Sequence, residues 1–321
     1  MKFFPESALH QLEYEKVKTI LAEYCTTAYA ANKASNLRIH TKINFIQTEL
    51  QQTNEFKLLL QSAQYFPNDF TVNLQKDLKL LSIPGAMLGG EQFLLIHKLA
   101  TNTSNIFRWF DNERRIAYPA LTKVISDSYY EKTIIEMIDG VVDETGNVKD
   151  NASEELMRIR MALYKKRNEL RRIFDRIVSK LNKLGYLADI EESFMNGRRV
   201  LAVYAEQKRM IKGILHSESD SRKTSFIEPE ETTELNNDIF SLENEESREV
   251  YRVFKALTNQ VSVYAPLLQS YLAINGEFDF IKAKARWAVE MGGNYPAVFD
   301  KAHVNLIQAY HPLLLMYMLA K

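Results

Sequence analysis

Seven basic side chains, Arg198, Arg199, Lys208, Arg209, Lys212, Arg222 and Lys223, crowd into the stretch 198–223 against three acids, Glu206, Glu218 and Asp220. The formal charge there is about +4. Cations at strand ends and turns are what sequence-independent contact with DNA phosphates requires, and such binding releases counterions and weakens with salt. Residue types alone leave open that these are ordinary solvated hairpin side chains.

Other constellations offer less chemistry. His216-Ser217-Glu218 cannot form a catalytic triad by itself, because adjacent strand residues point to opposite faces. The acids between Glu228 and Glu249 read as a helix-spaced face opposite a basic helix rather than as metal ligands. Cys25 is the sole cysteine; it lies among apolar helical residues and reads as core, and no Cys/His spacing resembles a zinc site.

The elements that must position the cations come next. Residues 196–203 and 212–219 alternate small, apolar and charged side chains, the period-2 pattern of half-buried strands. Gly197 and Gly213 suit turns or bulges. Two long charged helical stretches flank this region, Ser153–Leu184 and roughly Glu231–Tyr264. The first carries apolar residues at Leu156, Ile159, Leu163, Leu170, Ile173, Ile177, Leu181 and Leu184, a coiled-coil seam interrupted by Lys166. Ser153 caps it and Glu154 and Glu155 fill its first turn. It extends about 48 Å. The second stretch has a matching seam at Leu235, Ile239, Leu242, Val250, Val253 and Leu257.

Between Arg158 and Lys183 stand ten Lys or Arg against Glu169 and Asp175, whereas 228–249 holds nine acids against Arg248. An antiparallel pair would set base against acid and cancel most of either helix's field, fixing register more than strength. The tip would then be the one uncompensated basic patch. Direct contact of the basic helix with DNA is the other reading of that run.

The remainder is helical. From Phe4 to Ser62 helical spacing predicts two faces, with Ser7 and Asn44 as cap candidates. Gly89-Gly90-Glu91 opens a helix to Trp109, and a turn or two follows Pro119 near Leu121–Tyr130. Residues 139–151 suggest a short hairpin turning at Glu144-Thr145-Gly146-Asn147. Pro266 should kink or end the returning helix; helix resumes over Leu267–Leu272, and a second helix runs through Phe278 and Trp287. His303–Pro312 reads as a strand.

Acidic and basic residues balance at 41 each, so whole-chain charge speaks neither for nor against nucleic acid. The start, Met1-Lys2-Phe3-Phe4-Pro5-Glu6, lacks a signal-peptide core, and the apolar run Pro312–Ala320 is about half of a membrane span. A cytoplasmic protein with no membrane partner is expected.

Seven pieces of the chain, in order, resemble the MutS family, and within it the second bacterial type, the recombination-associated paralogue that usually carries an Smr nuclease domain. They are Val142-Asp143-Glu144-Thr145-Gly146-Asn147-Val148-Lys149-Asp150 leading into Ser153-Glu154-Glu155-Leu156; Asn196-Gly197-Arg198-Arg199-Val200; Lys212-Gly213-Ile214-Leu215-His216; Phe226-Ile227-Glu228-Pro229; Glu234-Leu235-Asn236-Asn237; Asp279-Phe280-Ile281-Lys282-Ala283-Lys284-Ala285; and Tyr310-His311-Pro312-Leu313-Leu314.

The resemblance implies a mainly α fold: a helical core domain over 1–150, an ascending lever helix over 151–185, a small antiparallel β clamp over 186–230, a descending lever helix over 231–265, and return helices over 266–300. Residues 301–321 would begin an ATPase domain. It implies that two such arms, one per subunit of a homodimer, embrace double-stranded or branched DNA while ATP and magnesium drive opening and closing elsewhere, in DNA mismatch repair or recombination control. The sequence holds no Gly-x-x-x-x-Gly-Lys-Ser/Thr, so no cofactor and no catalytic or metal residue is expected here. The chain is expected to be the DNA-embracing part of a larger protein, either an expressed fragment or a truncated gene product. The alternative is a coiled-coil arm for protein contact, with its own copy or with ribosomes.

Overall fold

The computed structural model of the chain describes residues 7–301 and 303–319, so the expectations for the first six residues and for the end of the C-terminal apolar run lie outside the described residues. The fold is mainly helical with one small antiparallel sheet. It divides into two compact units, Met1–Gly146 with Leu257–Lys321, and Asn147–Ala256.

The first unit begins with the helices α1 (Ala8–Gln11), α2 (Tyr14–Glu23), α3 (Ala28–Ser35), α4 (Ile43–Gln61), α5 (Gln75–Leu80), α6 (Gly90–Trp109), α7 (Asn112–Ala117), α8 (Pro119–Thr122) and α9 (Thr133–Val141). Ser7 stands at the α1 N-cap without a side-chain capping bond, and Asn44 lies inside α4 rather than capping it. A cap that does form is Thr27, whose hydroxyl accepts from Ala30 N at the start of α3.

The hairpin expected over 139–151 is not a hairpin. Helix α9 takes up the residues to Val141, and only single bridge residues, Val142 and Val148, flank a tight turn closed by Gly146 N donating to Asp143 O at 3.1 Å. The turn owes its glycine to backbone conformation, φ +89°, and to crowding: a Cβ on the facing Gly90 would lie 1.6 Å from Gly146 O. Isoleucines at 134, 135 and 138 supply a helical rather than an alternating pattern.

The second unit contains α10 (Glu154–Lys183), β1 (Leu187–Met195), β2 (Arg198–Tyr204), β3 (Gly213–Glu218), β4 (Thr224–Pro229) and the start of α11 (Glu230–Ser262). Ser153 caps α10 by accepting from Leu156 N at 3.0 Å. The sheet order is β1-β2-β4-β3, antiparallel throughout. Asn196 and Gly197, at φ +51° and +77°, form the two-residue turn between β1 and β2, the left-handed geometry that matches strand twist. Phe174, Ile177 and Leu181 of α10 pack on Leu187, Leu201, Val203 and Ile227 of the sheet. Closer to its start, α10 packs on α11 through Ile159, Leu163 and Leu170 against Leu235 and Ile239.

The chain returns to the first unit with α12 (Ala265–Glu290) and α13 (Pro312–Leu319). Pro266 sits in the first turn of α12, where its missing N–H costs nothing. The two return helices expected are one uninterrupted helix, because its central residues are gripped on all sides. Ile274, Phe278, Ile281 and Ala285 pack with Phe56, Phe66, Trp109 and Leu121, while Phe280 and Ala283 pack with Leu21, Ala30 and Ala34. Gly276 lets Tyr29 approach: a Cβ there would lie 2.3 Å from Tyr29 Cδ1. The strand expected over 303–312 does not form; among the described residues no second strand stands there to satisfy its backbone. Cys25 is half-buried, and burial pushes its thiol up to about 12, in keeping with a packing role.

Asp279 is the polar anchor of this unit. Buried at 2% exposure, its carboxylate accepts from the backbone N–H and the hydroxyl of both Thr26 and Thr27, at 2.7–2.9 Å. Asp279→Ala should strand four donors and cost about 3 kcal/mol or more, measured as a lowered midpoint in chemical denaturation of the full chain.

Candidate nucleic-acid interface

The β-sheet unit is built around a buried carboxylate. Glu228, on β4, has no exposed surface. Its oxygens accept from Arg198 Nη1 of β2 at 2.8 and 3.1 Å, from His216 Nε2 of β3 at 2.7 Å, and from Asn236 Nδ2 of α11 at 2.9 Å. A carboxylate only accepts, so the His216 proton resides on Nε2. Arg198 also donates to Asn237 Oδ1. His216 can turn inward because β3 and β4 slip register between Leu215 and Ser217, a bulge that re-aims the side chain. Gly213 opens the same strand because a Cβ there would lie 2.1 Å from Glu228 O. Burial pushes the Glu228 carboxyl up, but hydrogen bonds from Asn236, His216 and Arg198 and the Arg198 charge outweigh it and hold the group below its ordinary 4.5.

Arg199, the next residue on β2, is engaged differently. It pairs with Glu192 of β1 at 2.6 Å and Asp175 of α10 at 3.2 Å, and its guanidinium stacks 4.4 Å from the Phe174 ring centre. Lys208 pairs with Glu218 at 2.7 Å. Arg209, Lys212, Arg222 and Lys223 are exposed and, among the described residues, make no ion pair within 4.0 Å.

The seven cations therefore do not form one cluster. Lys208 and Arg209 lie on a short 3-10 helix, Ala205–Met210, that begins beside the β3–β4 turn, where Ala205 N donates to Lys223 O. That end of the sheet also receives the C-terminus of α10, through Tyr204 N donating to Tyr186 O. Lys212 is at the opposite end, its carbonyl accepting from Glu230 N at the start of α11. One end thus gathers Arg209, Arg222 and Lys223 with the Lys208–Glu218 pair.

Charge cancellation between the two helices is only partial. Arg160–Glu246, Lys166–Asp238 and Arg167–Glu243 cross between α10 and α11 at 2.7 Å, in the antiparallel register expected. Arg158 instead pairs with Glu155 of its own helix. Beyond about Leu170 the partner of α10 is the sheet rather than the acidic helix, so the tip is not the one uncompensated basic patch. Among the described residues no three His, Cys, Asp or Glu side chains are grouped to hold a metal, and no helix is long and apolar enough to cross a membrane.

No family model matches the chain. Over 312 residues it is 30% identical to the Endonuclease MutS2 of Aquifex aeolicus, covering 97% of this chain and 40% of that protein. Proteins of the same name from Lactococcus lactis subsp. cremoris and Latilactobacillus sakei are 30% and 29% identical over 95% of the chain and 39% of their own length. The chain is related to proteins of the MutS2 type. It spans about two fifths of the length of these curated relatives.

Four of the pieces that carry the MutS resemblance converge on one network. Asn-Gly-Arg-Arg supplies Arg198, Lys-Gly-Ile-Leu-His supplies His216, Phe-Ile-Glu-Pro supplies Glu228, and Glu-Leu-Asn-Asn supplies Asn236 and Asn237. Sequence reasoning placed Glu228 at the head of an acidic helix and missed this role. The signal lay in the co-occurrence of short polar motifs at strand and helix ends.

Glu228→Gln should destabilise the full chain by about 2–4 kcal/mol, because Arg198 keeps its charge without a counter-charge. A carboxyl held below its ordinary value stabilises fully above pH 4.5 and ceases to do so as the pH falls through the lowered value. The wild-type unfolding temperature should therefore fall more steeply than that of E228Q on acidification below pH 4.5, read by circular dichroism.

Proposed function

We propose that the second unit is a lever and clamp that grips double-stranded or branched DNA, as part of a MutS-like DNA-dependent ATPase acting in DNA repair or recombination control. The observation that carries this reading is the set of exposed cations Arg209, Arg222 and Lys223 at one end of the sheet, without an ion-pair partner among the described residues. Lys212 lies at the other end, and Lys208 is within reach after exchanging Glu218 for a phosphate. Arg198 and Arg199 serve the clamp by holding its strands and helices together rather than by meeting phosphates, since each is engaged by acids of the fold. The name of the relatives, Endonuclease MutS2, supports the DNA assignment.

In this reading the chain binds and other parts of a longer protein do the chemistry. ATP and magnesium would be held by an ATPase domain, strand cleavage would belong to a nuclease domain, and two copies would close around the duplex in the cytoplasm. The contacts are ionic and blind to base sequence, so affinity is governed by counterion release.

A protein-contact arm is the second reading. Met157, Met161 and Tyr164 stand 44%, 56% and 71% exposed on α10, at the i, i+4, i+7 spacing of a docking face. Self-association or ribosome contact through them would be abolished by Met161→Glu with Tyr164→Glu, and DNA affinity would be untouched.

Fluorescence anisotropy with the full chain and a labelled duplex tests the clamp. Wild type should bind at low salt, with log affinity falling linearly in log salt. Replacing Arg209, Lys212, Arg222 and Lys223 together by Ala should reduce the slope by about 0.9 for each phosphate that is no longer neutralised. Absent binding at about 50 mM salt, or an unchanged slope in the quadruple variant, would reject the reading.

A further inference from the structure

The outer face of α10 carries a row of cations that neither the fold nor the proposed clamp uses. Lys165, Arg172, Arg176, Lys180 and Lys183 are all exposed and, among the described residues, make no ion pair within 4.0 Å. Their spacing, 7, 4, 4 and 3 residues, places them within an arc of about 80° on the helix. The buried seam of Leu163, Leu170, Phe174, Ile177 and Leu181 is turned away from them. Glu169, also exposed, is the one acid on the row, near its start. Asp175 faces sideways and is occupied by Arg199 and, at 3.9 Å, by Arg171.

Such a row is unfavourable for the helix alone. Arg172, Arg176 and Lys180 follow one another at i, i+4, where like charges repel, and among the described residues no acid lies within 4.0 Å of any of the three. Acids could have stood there, as they do on α11. A surface that holds aligned like charges without internal partners is matched to an external polyanion.

We infer that this face of α10 is a second binding surface, for the sugar–phosphate backbone of a nucleic-acid double helix. The row runs about 27 Å, the length of about eight base pairs at 3.4 Å each. The steps from Arg172 to Arg176 and from Arg176 to Lys180 are each about 6 Å along the axis. The row ends at Lys183, where α10 meets the sheet end that holds Arg209, Arg222 and Lys223. The inference extends the proposed DNA binding to a second surface of the same unit and stands or falls separately from the clamp cations.

The test uses the full chain, duplex DNA and duplex RNA of one sequence, and two variants. In the row variant Arg172, Arg176 and Lys180 become Gln; in the tip variant Arg209, Lys212, Arg222 and Lys223 become Ala. The row variant should lose about tenfold or more in affinity at low salt, and its salt slope should fall by about 2.7. Its unfolding temperature should hold or rise, because repulsion is removed, which separates the effect from misfolding. Loss with either duplex supports the row; unchanged slope and affinity with both overturns it. If only the tip variant loses binding, the row fails and the clamp stands; if only the row variant does, the clamp fails and the row stands. A wild-type chain that binds neither duplex overturns both.

Discussion

A carboxylate with no access to water must be surrounded by donors, and Glu228 imposes that requirement on the whole tip. Leaving it unpaired would be prohibitive. Its partners come from β2, β3 and α11, three elements that are separate in sequence. One buried charge therefore ties two neighbouring strands and the helix that follows to β4. The bulge at His216, the glycine at 213 and the Arg198–Asn237 bond are accommodations to it. Arg199, stacked on Phe174 and paired with Asp175, makes the corresponding tie to α10.

With those ties made, the remaining charges acquire a different meaning. Cations that hold the fold cannot also neutralise phosphates without leaving an acid exposed to repulsion, so the division between Arg198 and Arg199 on one side and Arg209, Arg222 and Lys223 on the other separates scaffold from surface. The same division runs along α10. Arg160, Lys166 and Arg167 face α11 and are answered by acids, and past that point the helix lies on an apolar sheet face. The exposed cations from Lys165 to Lys183 lie on the side of α10 turned away from the buried seam that meets both partners.

Much of this architecture was legible in the sequence, and the reasons are local. Ser153 with Glu154 and Glu155 announced the start of α10, Gly197 suited the turn it occupies although Asn196 was read as strand, Pro266 announced a break in the returning helix although it stands in the first turn of α12, and opposed charge runs announced antiparallel helices. What was hidden depends on distant partners. Glu228 looks like any helix-start acid until His216 and Asn236 are brought to it, and which basic residues stay free is decided only by what packs beside them. Helix α9 was obscured by a turn signal at Gly146 that is real but belongs to the residues after the helix. Asp279 gave no local sign of the two threonines it caps.

Amide hydrogen exchange of the full chain, with and without a saturating DNA duplex, tests the central claim most directly. Added protection over 205–212 and 219–224, with the slow amides around Glu228 equally protected in both states, is the result expected of a preformed clamp carrying surface cations. DNA-induced protection confined to residues outside 147–256, or none at all, would contradict it.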